Sequence, residues 1–319
     1  MQVNGRIAVV TGAGSGMGRE LVRQLAAQGC HVAACDIAER GLTETRELCA
    51  EYDVRVTTHL VDVADESQLQ NFAAEVREQH DTDHIHLLFN NAGIGGGGSI
   101  ITDSRESWER TFSIDWGGVY LGVRTFLPML IAADEARIVN TSSVNGFWAS
   151  LGPTTPHTAY GAAKFAVKGF TEALITDLRV NAPHVSAAVV MPGHIGTAIV
   201  SNSRKVATGV DSDQLSPSEI ADVRGRMSVL GEDIESLSDD EIQALVADRA
   251  RHFEEKAPTT AAEAAGIILD GVRRDKWRIL VGEDAVGLDE HVRRDPENAY
   301  TPEFHAMLQE DIRWGLGGQ

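Results

Sequence analysis

Short runs rich in β-branched residues alternate along this chain with longer stretches in which apolar positions recur every three or four residues. That alternation predicts a parallel sheet with helices on both faces, a doubly wound α/β architecture. Strands are expected at Arg6–Thr11, His31–Asp36, Arg55–Val61, Leu87–Asn90, Arg137–Thr141, Val185–Met191 and Arg278–Val281. Helices are expected between them, at Gly16–Gln28, Leu42–Tyr52, Glu66–Gln79, Trp108–Leu130, Ala159–Asn181 and Ala261–Arg273. No repeat, low-complexity tract or linker divides the chain, so residues 1–319 read as one domain.

One region breaks the rhythm. Between about Val200 and Pro258 the chain is polar, with no strand pattern. Ser216-Pro217-Ser218-Glu219 and Ser238-Asp239-Asp240-Glu241 each fit a capping box, in which hydroxyl and carboxylate satisfy orphan backbone N–H groups. Two helices inserted at 200–258, before the last helix and strand, are therefore predicted. In open α/β sheets ligands bind beyond the strand C-termini, so the insertion reads as a substrate lid; a subunit contact is the alternative.

Composition narrows the partners. Of 319 residues, 28 are basic and 47 acidic, a formal charge of −19 that repels phosphate backbones and anionic lipid. Nucleic acid and membrane are therefore not expected as partners. No leader pattern precedes the first strand and no apolar run approaches the ~20 residues of a membrane span, which points to the cytoplasm. The cysteines, Cys30, Cys35 and Cys49, have no metal-ligand spacing and read as small core residues, so no metal is expected.

Candidate chemistry begins directly after the first strand. Thr11-Gly12-Ala13-Gly14-Ser15-Gly16-Met17-Gly18 opens the first helix, and its glycines allow backbone N–H groups to approach a pyrophosphate at the positive helix end. Asp36 ends the second strand, where an acid accepts hydrogen bonds from both adenosine-ribose hydroxyls and repels a 2′-phosphate; NAD is favoured over NADP. Asp62-Val63 is placed to hold the adenine edge, or to cap the next helix. Asn90-Asn91-Ala92-Gly93 can tie neighbouring strands while its glycine admits close backbone approach.

At the head of a later helix, Tyr160-Gly161-Ala162-Ala163-Lys164 puts phenol and ammonium on one face. A free phenol, with a pKa of about 10, is a weak base at neutral pH, and a neighbouring cation favours its ionised form. Ser143, in Thr141-Ser142-Ser143, is positioned to hydrogen-bond a substrate oxygen. Phe147, Trp148 and Leu151, between Ser143 and Tyr160, are candidates for the pocket wall, and their apolar character suggests a hydrophobic or ring-bearing substrate; Asn145 is a further substrate candidate in the same stretch. His194, after Pro192-Gly193, is a further candidate facing the substrate.

Taken together, the glycine string, Asn90-Asn91-Ala92-Gly93, the serine after the fifth strand, the Tyr160–Lys164 motif and Pro192-Gly193 followed by Thr197 resemble the short-chain dehydrogenase/reductase family in order and spacing, over nearly the whole chain. The resemblance implies a seven-stranded Rossmann sheet and a Ser143–Tyr160–Lys164 catalytic set with Tyr160 as acid/base. It also implies that Lys164, Pro192, Gly193, Ile195 and Thr197 help hold the nicotinamide end. The helices at 108–130 and 159–181 would form a homodimer face, often within a tetramer. Where the family has Asn in the fourth helix this chain has Asp115, whose charge would stabilise the Lys164 ammonium and alter the pH optimum. The insertion and the tail beyond Gly282 exceed the family outline.

The leading expectation is hydride transfer between NAD and a secondary alcohol or ketone. Alternatives on the same fold are an NAD-binding regulator, against which the intact Ser–Tyr–Lys set argues, and a non-redox epimerase or dehydratase, which would normally carry a dedicated substrate domain.

Overall fold

Each β-branched run becomes a sheet strand, and most of the periodic runs pack across it as helices. The computed structural model describes residues 1–96, 98–153, 155–210, 214–229, 236–312 and 314–315. The chain begins β1 (Ile7–Thr11), α1 (Gly16–Ala27), β2 (His31–Asp36), α2 (Glu39–Leu48), β3 (Val56–Leu60) and α3 (Glu66–His80). It continues with β4 (Leu87–Asn90), α4 (Arg105–Phe112), a π-helical turn (Ser113–Gly117), α5 (Gly118–Ile131), β5 (Ala136–Thr141), a 3-10 turn (Val144–Gly146), α6 (Thr158–Asn181) and β6 (Val185–Pro192). The remainder runs β7 (Ile195–Gly196), α7 (Ile199–Thr208), α8 (Pro217–Val229), α9 (Asp239–Glu255), β8 (Thr259–Thr260), α10 (Ala261–Arg273), β9 (Arg278–Val281), α11 (Glu283–Arg294) and α12 (Pro302–Ile312).

Seven strands form one parallel sheet in the order β3-β2-β1-β4-β5-β6-β9. The order reverses between β1 and β4, and in such sheets ligands bind beyond the strand ends at that reversal. Successive strand residues serve opposite layers. Ala8, Val10, Val32 and Ala34 join α1 and α10 in one core, while Val9, Ala33, Leu88 and Ile138 join α3 and α5 in the other. Burial on both faces explains why the strands read as unbroken apolar runs. Cys30, Cys35 and Cys49 are buried free thiols, and burial pushes Cys30 up to about 12.

Four features differ from the sequence expectation. The helix expected at 108–130 starts earlier, capped by Ser104, and is interrupted by the π-helical turn at Ser113–Gly117, ahead of the weak helix former Gly118. The insertion holds three helices, not two. Both capping boxes form, at Ser216–Glu219 and Ser238–Glu241, but α7 precedes them and ends on Gly209 in the left-handed conformation (φ 68°). Residues 211–213 and 230–235 of the insertion lie outside the described set. The short pair β7·β8 closes the insertion at its base. Finally, the tail forms α11 and α12, which build a third core with Val144, Trp148 and Trp314. Among the described residues, no helix is long and apolar enough to cross a membrane.

Candidate active site

The glycine string makes the turn that its spacing demands. Gly12 and Gly16 have positive φ (66° and 51°), and a Cβ on Gly18 would stand 2.0 Å from the Gly12 carbonyl oxygen. Only glycine lets β1 and α1 meet this closely, leaving the first-turn amides of α1, Gly16 to Gly18, without intrahelical acceptors. Such an amide cluster with a positive helix end suits a diphosphate. Ser15 is the N-cap residue, and its Oγ accepts a hydrogen bond from Asn202 of α7 at 3.1 Å.

Around this turn the structure assembles most of the other cofactor candidates. The Asp36 carboxylate accepts N–H groups from Gly14 (2.8 Å) and Ala38 (2.9 Å), fixing it beside the glycine loop. Thr11 Oγ1 accepts the amides of Asn91 and Ala92, each at 3.0 Å, which docks the β4 loop onto β1. Asn90 Nδ2 donates to Asn140 (2.9 Å), so Asn90 ties β4 to β5. The Thr197 methyl would lie 3.0 Å from a Cβ on Gly16, bringing the chain after β6 onto the same loop. Ile195 is buried in β7, and Met17 packs against the core beneath the loop. Asp62 Oδ1 accepts the Ala64 amide at 2.9 Å and Val63 packs on Gly118, so both stabilise the turn into α3; Asp65, not Asp62, caps that helix.

Ser143, Tyr160 and Lys164 converge. Lys164 Nζ lies 5.2 Å from the centroid of the Tyr160 ring, and the Ser143 side chain acts on the phenol in the direction that favours its ionised form. A Cβ on Gly93 would sit 3.2 Å from that ammonium, so this loop glycine admits it. Asp115, carried on the π-helical turn, is completely buried and pairs with Lys164 Nζ at 3.0 Å. Its Oδ1 also accepts the Ile94 amide (3.2 Å), while Oδ2 has no partner. Burial pulls Lys164 down, but the Asp115 carboxylate and Tyr160 more than reverse this, so the ammonium is favoured. The phenol departs from the sequence expectation of a lowered value. Burial, reinforced by Asp115, holds Tyr160 above an ordinary phenol despite Lys164 and Ser143.

Three substrate candidates are corrected. Trp148 is fully buried among Tyr300, Phe304, His305 and Trp314, and its Nε1–H donates to the Ala299 carbonyl at 2.6 Å. Apolar area draws it into the tail's core instead of a pocket. Asn145 is likewise buried and donates to the Trp148 and Ser150 carbonyls, both at 2.9 Å, as a loop brace. His194 packs its ring on Phe253 (4.4 Å) and donates from Nε2 to the Phe253 carbonyl (2.7 Å), tying β6 to α9.

Two residues at the site were not singled out by sequence. His157 rests its ring 4.5 Å from Tyr160, and burial holds it at about 4, hence neutral at working pH. Its position three residues before Tyr160 was the available signal. Asp284, at the start of α11, accepts the His194 amide at 2.6 Å, while a Cβ on Gly193 would lie 2.3 Å from its carboxylate. It therefore braces Pro192-Gly193 from the neighbouring strand's end. An acid in a helix's first turn is too common to flag this role from sequence.

Comparisons with known proteins bear on the family and the fold. A family model described as short chain dehydrogenase matches residues 6–207. A putative oxidoreductase, SadH, of Mycobacterium tuberculosis is 34% identical over 285 residues, covering 89% of this chain and 89% of that protein. Levodione reductase of Leifsonia aquatica is 31% identical over 208 residues, covering 63% of this chain and 73% of the reductase. Among solved structures, a short chain dehydrogenase/reductase from Burkholderia phymatum in complex with NAD superposes with a TM-score of 0.73 at 27% identity, covering 95% of this chain and 98% of that one.

Proposed function

The chain belongs to the short-chain dehydrogenase/reductase family, and from that premise we propose that it interconverts a secondary alcohol and a ketone, with NAD as cofactor. The observation that carries this reading is the convergence of Ser143, Tyr160 and Lys164 beside the loop that also touches the glycine turn. A pure dinucleotide binder has no need of that set.

The residues present fit a dinucleotide. Gly14, Gly16 and Gly18 sit where a Cβ would crowd Asp36, Thr197 and the Gly12 carbonyl, so the turn stays tight, and with Ser15 they would hold the diphosphate at the start of α1. Asp36 would accept the adenosine-ribose hydroxyls; its fixed negative charge is what supports NAD over NADP. Lys164, Pro192, Gly193, Ile195 and Thr197 would hold the nicotinamide end. When bound, the nicotinamide supplies or accepts the hydride. This chain's groups manage position and proton. Ser143 orients the substrate oxygen, Tyr160 Oη gives or takes its proton, and Lys164 orients Tyr160 and raises its acidity. Helix α7 stands over the glycine turn through Asn202, and its Ser203 Oγ accepts the Gly95 amide at 2.7 Å, which supports the lid reading of 200–258. Phe147 and Leu151 remain candidate wall residues for a hydrophobic or ring-bearing substrate. The homo-oligomer reading rests on the exposed Tyr120 of α5, which meets Trp116 of the π-helical turn and Phe170 of α6, and on the exposed Phe165 of α6.

The test is a panel of cyclic and aryl secondary alcohols and ketones, assayed by reduced-nicotinamide absorbance with NAD and, in parallel, NADP. Turnover with NAD preferred supports the proposal. Tight NAD binding with no turnover anywhere in the panel overturns it in favour of a binding role.

A further inference from the structure

The pairing of Asp115 with Lys164 changes the charge that Tyr160 experiences. In a site with lysine alone, one positive charge faces the phenol and favours its ionised form. Here a carboxylate stands 3.0 Å from that ammonium, both groups are buried, and the carboxylate's second oxygen has no other partner. The approach is built in. The π-helical turn carries Asp115 inward, and a Cβ on residue 93 would stand 2.5 Å from its Oδ1, so only glycine admits it. We propose that Asp115 is a positioning residue that cancels the Lys164 charge, keeps Tyr160 protonated at neutral pH, and so sets this site to reduce carbonyls there and to oxidise alcohols only at alkaline pH.

Among the described residues, the groups facing this cluster are few. The turn contributes Asp115, and α6 contributes Lys164 with neutral His157 at its start. The end of β5 supplies the Ser143 hydroxyl and the Thr141 carbonyl (3.3 Å from Lys164 Nζ), and the β4 loop supplies the Ile94 amide; none of these ionises in the working range. From β6 and α4, which also pack on α6, no ionisable group acts on Tyr160 or Lys164. In the reducing direction the carbonyl carbon accepts a hydride from a reduced nicotinamide, and its oxygen takes the Tyr160 proton. The phenolate left behind regains a proton from solvent. A phenol that stays protonated to higher pH sustains this step over a wider range, whereas oxidation, which needs the phenolate, is confined to alkaline solution.

The inference rests on the oxidoreductase reading above, so its primary test needs no substrate. The Tyr160 phenol is titrated by ultraviolet difference in the full-length protein with NAD bound, using Tyr160→Phe to subtract the other tyrosines. Asp115→Asn keeps an acceptor for Ile94 and Lys164 but removes the charge, and should lower the Tyr160 midpoint by about one pH unit. In parallel, cyclohexanol oxidation and cyclohexanone reduction are followed across pH. Oxidation at neutral pH should rise about tenfold in Asp115→Asn, and reduction should lose its alkaline range by the same displacement. An unmoved midpoint in a folded, NAD-binding Asp115→Asn protein overturns the proposal. Asp115→Ser serves if Asn fails to fold. Should neither fold, the parent protein decides, since a Tyr160 midpoint well below an ordinary phenol contradicts the proposal. If the titration shifts while neither probe turns over, the coupling stands and the oxidoreductase reading is what fails.

Discussion

Replacing Trp148 with alanine probes the link between the C-terminal helices and the loop that joins Ser143 to Tyr160. Trp148 is fully buried, its indole meets Trp314 edge-on at 5.8 Å, and its N–H donates to Ala299. The same loop is held by Ala149 N–H to the Tyr300 hydroxyl (3.2 Å) and by Trp314 Nε1–H to the Leu151 carbonyl (3.2 Å). Removing a buried indole costs about 3–5 kcal/mol, from lost transfer energy and the cavity left behind. For a protein of this size each kcal/mol lowers Tm by roughly 2 °C, so a fall of about 6–10 °C is predicted. Trp148→Phe keeps an apolar ring and loses the hydrogen bond, and should fall by only about 2–4 °C. Circular dichroism melts measure both. NAD affinity, which depends chiefly on the glycine turn after β1 and on Asp36, should hold, while KM for substrate rises as the loop loses its brace. An Ala variant melting within about 2 °C of the parent would refute the idea that this indole anchors tail to loop.

Two further perturbations separate cofactor from core. Asp36→Ala should weaken NAD by roughly tenfold and NADP far less, as measured by fluorescence titration; equal losses would mean that Asp36 does not read the ribose. Gly18→Ala places a Cβ 2.0 Å from the Gly12 oxygen, so it should abolish NAD binding or lower Tm by several degrees, and a variant with unchanged affinity and Tm would remove the glycine turn from the account.

Much of the fold was legible because burial on both sheet faces writes long apolar runs, and β4, β2 and β9 fall at their expected bounds. The glycine turn was legible because its geometry tolerates almost nothing else. The tail was not. Helices α11 and α12 are stabilised by packing on Trp148 and Val144, residues far earlier in the chain, and local periodicity does not report such a partner. The same blindness misassigned Trp148, Asn145 and His194. Their residue types suit a pocket wall, but Trp148 and His194 are spent on distant partners, Ala299 and Phe253, and Asn145 on the carbonyls of Trp148 and Ser150 within its own loop. Asp115 was found by alignment of its motif. What the coordinates add is the distance and the burial: Asp115 meets Lys164 Nζ at 3.0 Å with both groups out of solvent.

The most direct measurement is a steady-state and binding comparison of Tyr160→Phe with the parent, using a substrate drawn from the alcohol and ketone panel. Loss of the phenol's proton should reduce kcat/KM by about 10²–10⁴ while the NAD dissociation constant stays within about twofold. Retention of turnover within about tenfold of the parent would contradict the assignment of Tyr160 as the group that moves the proton.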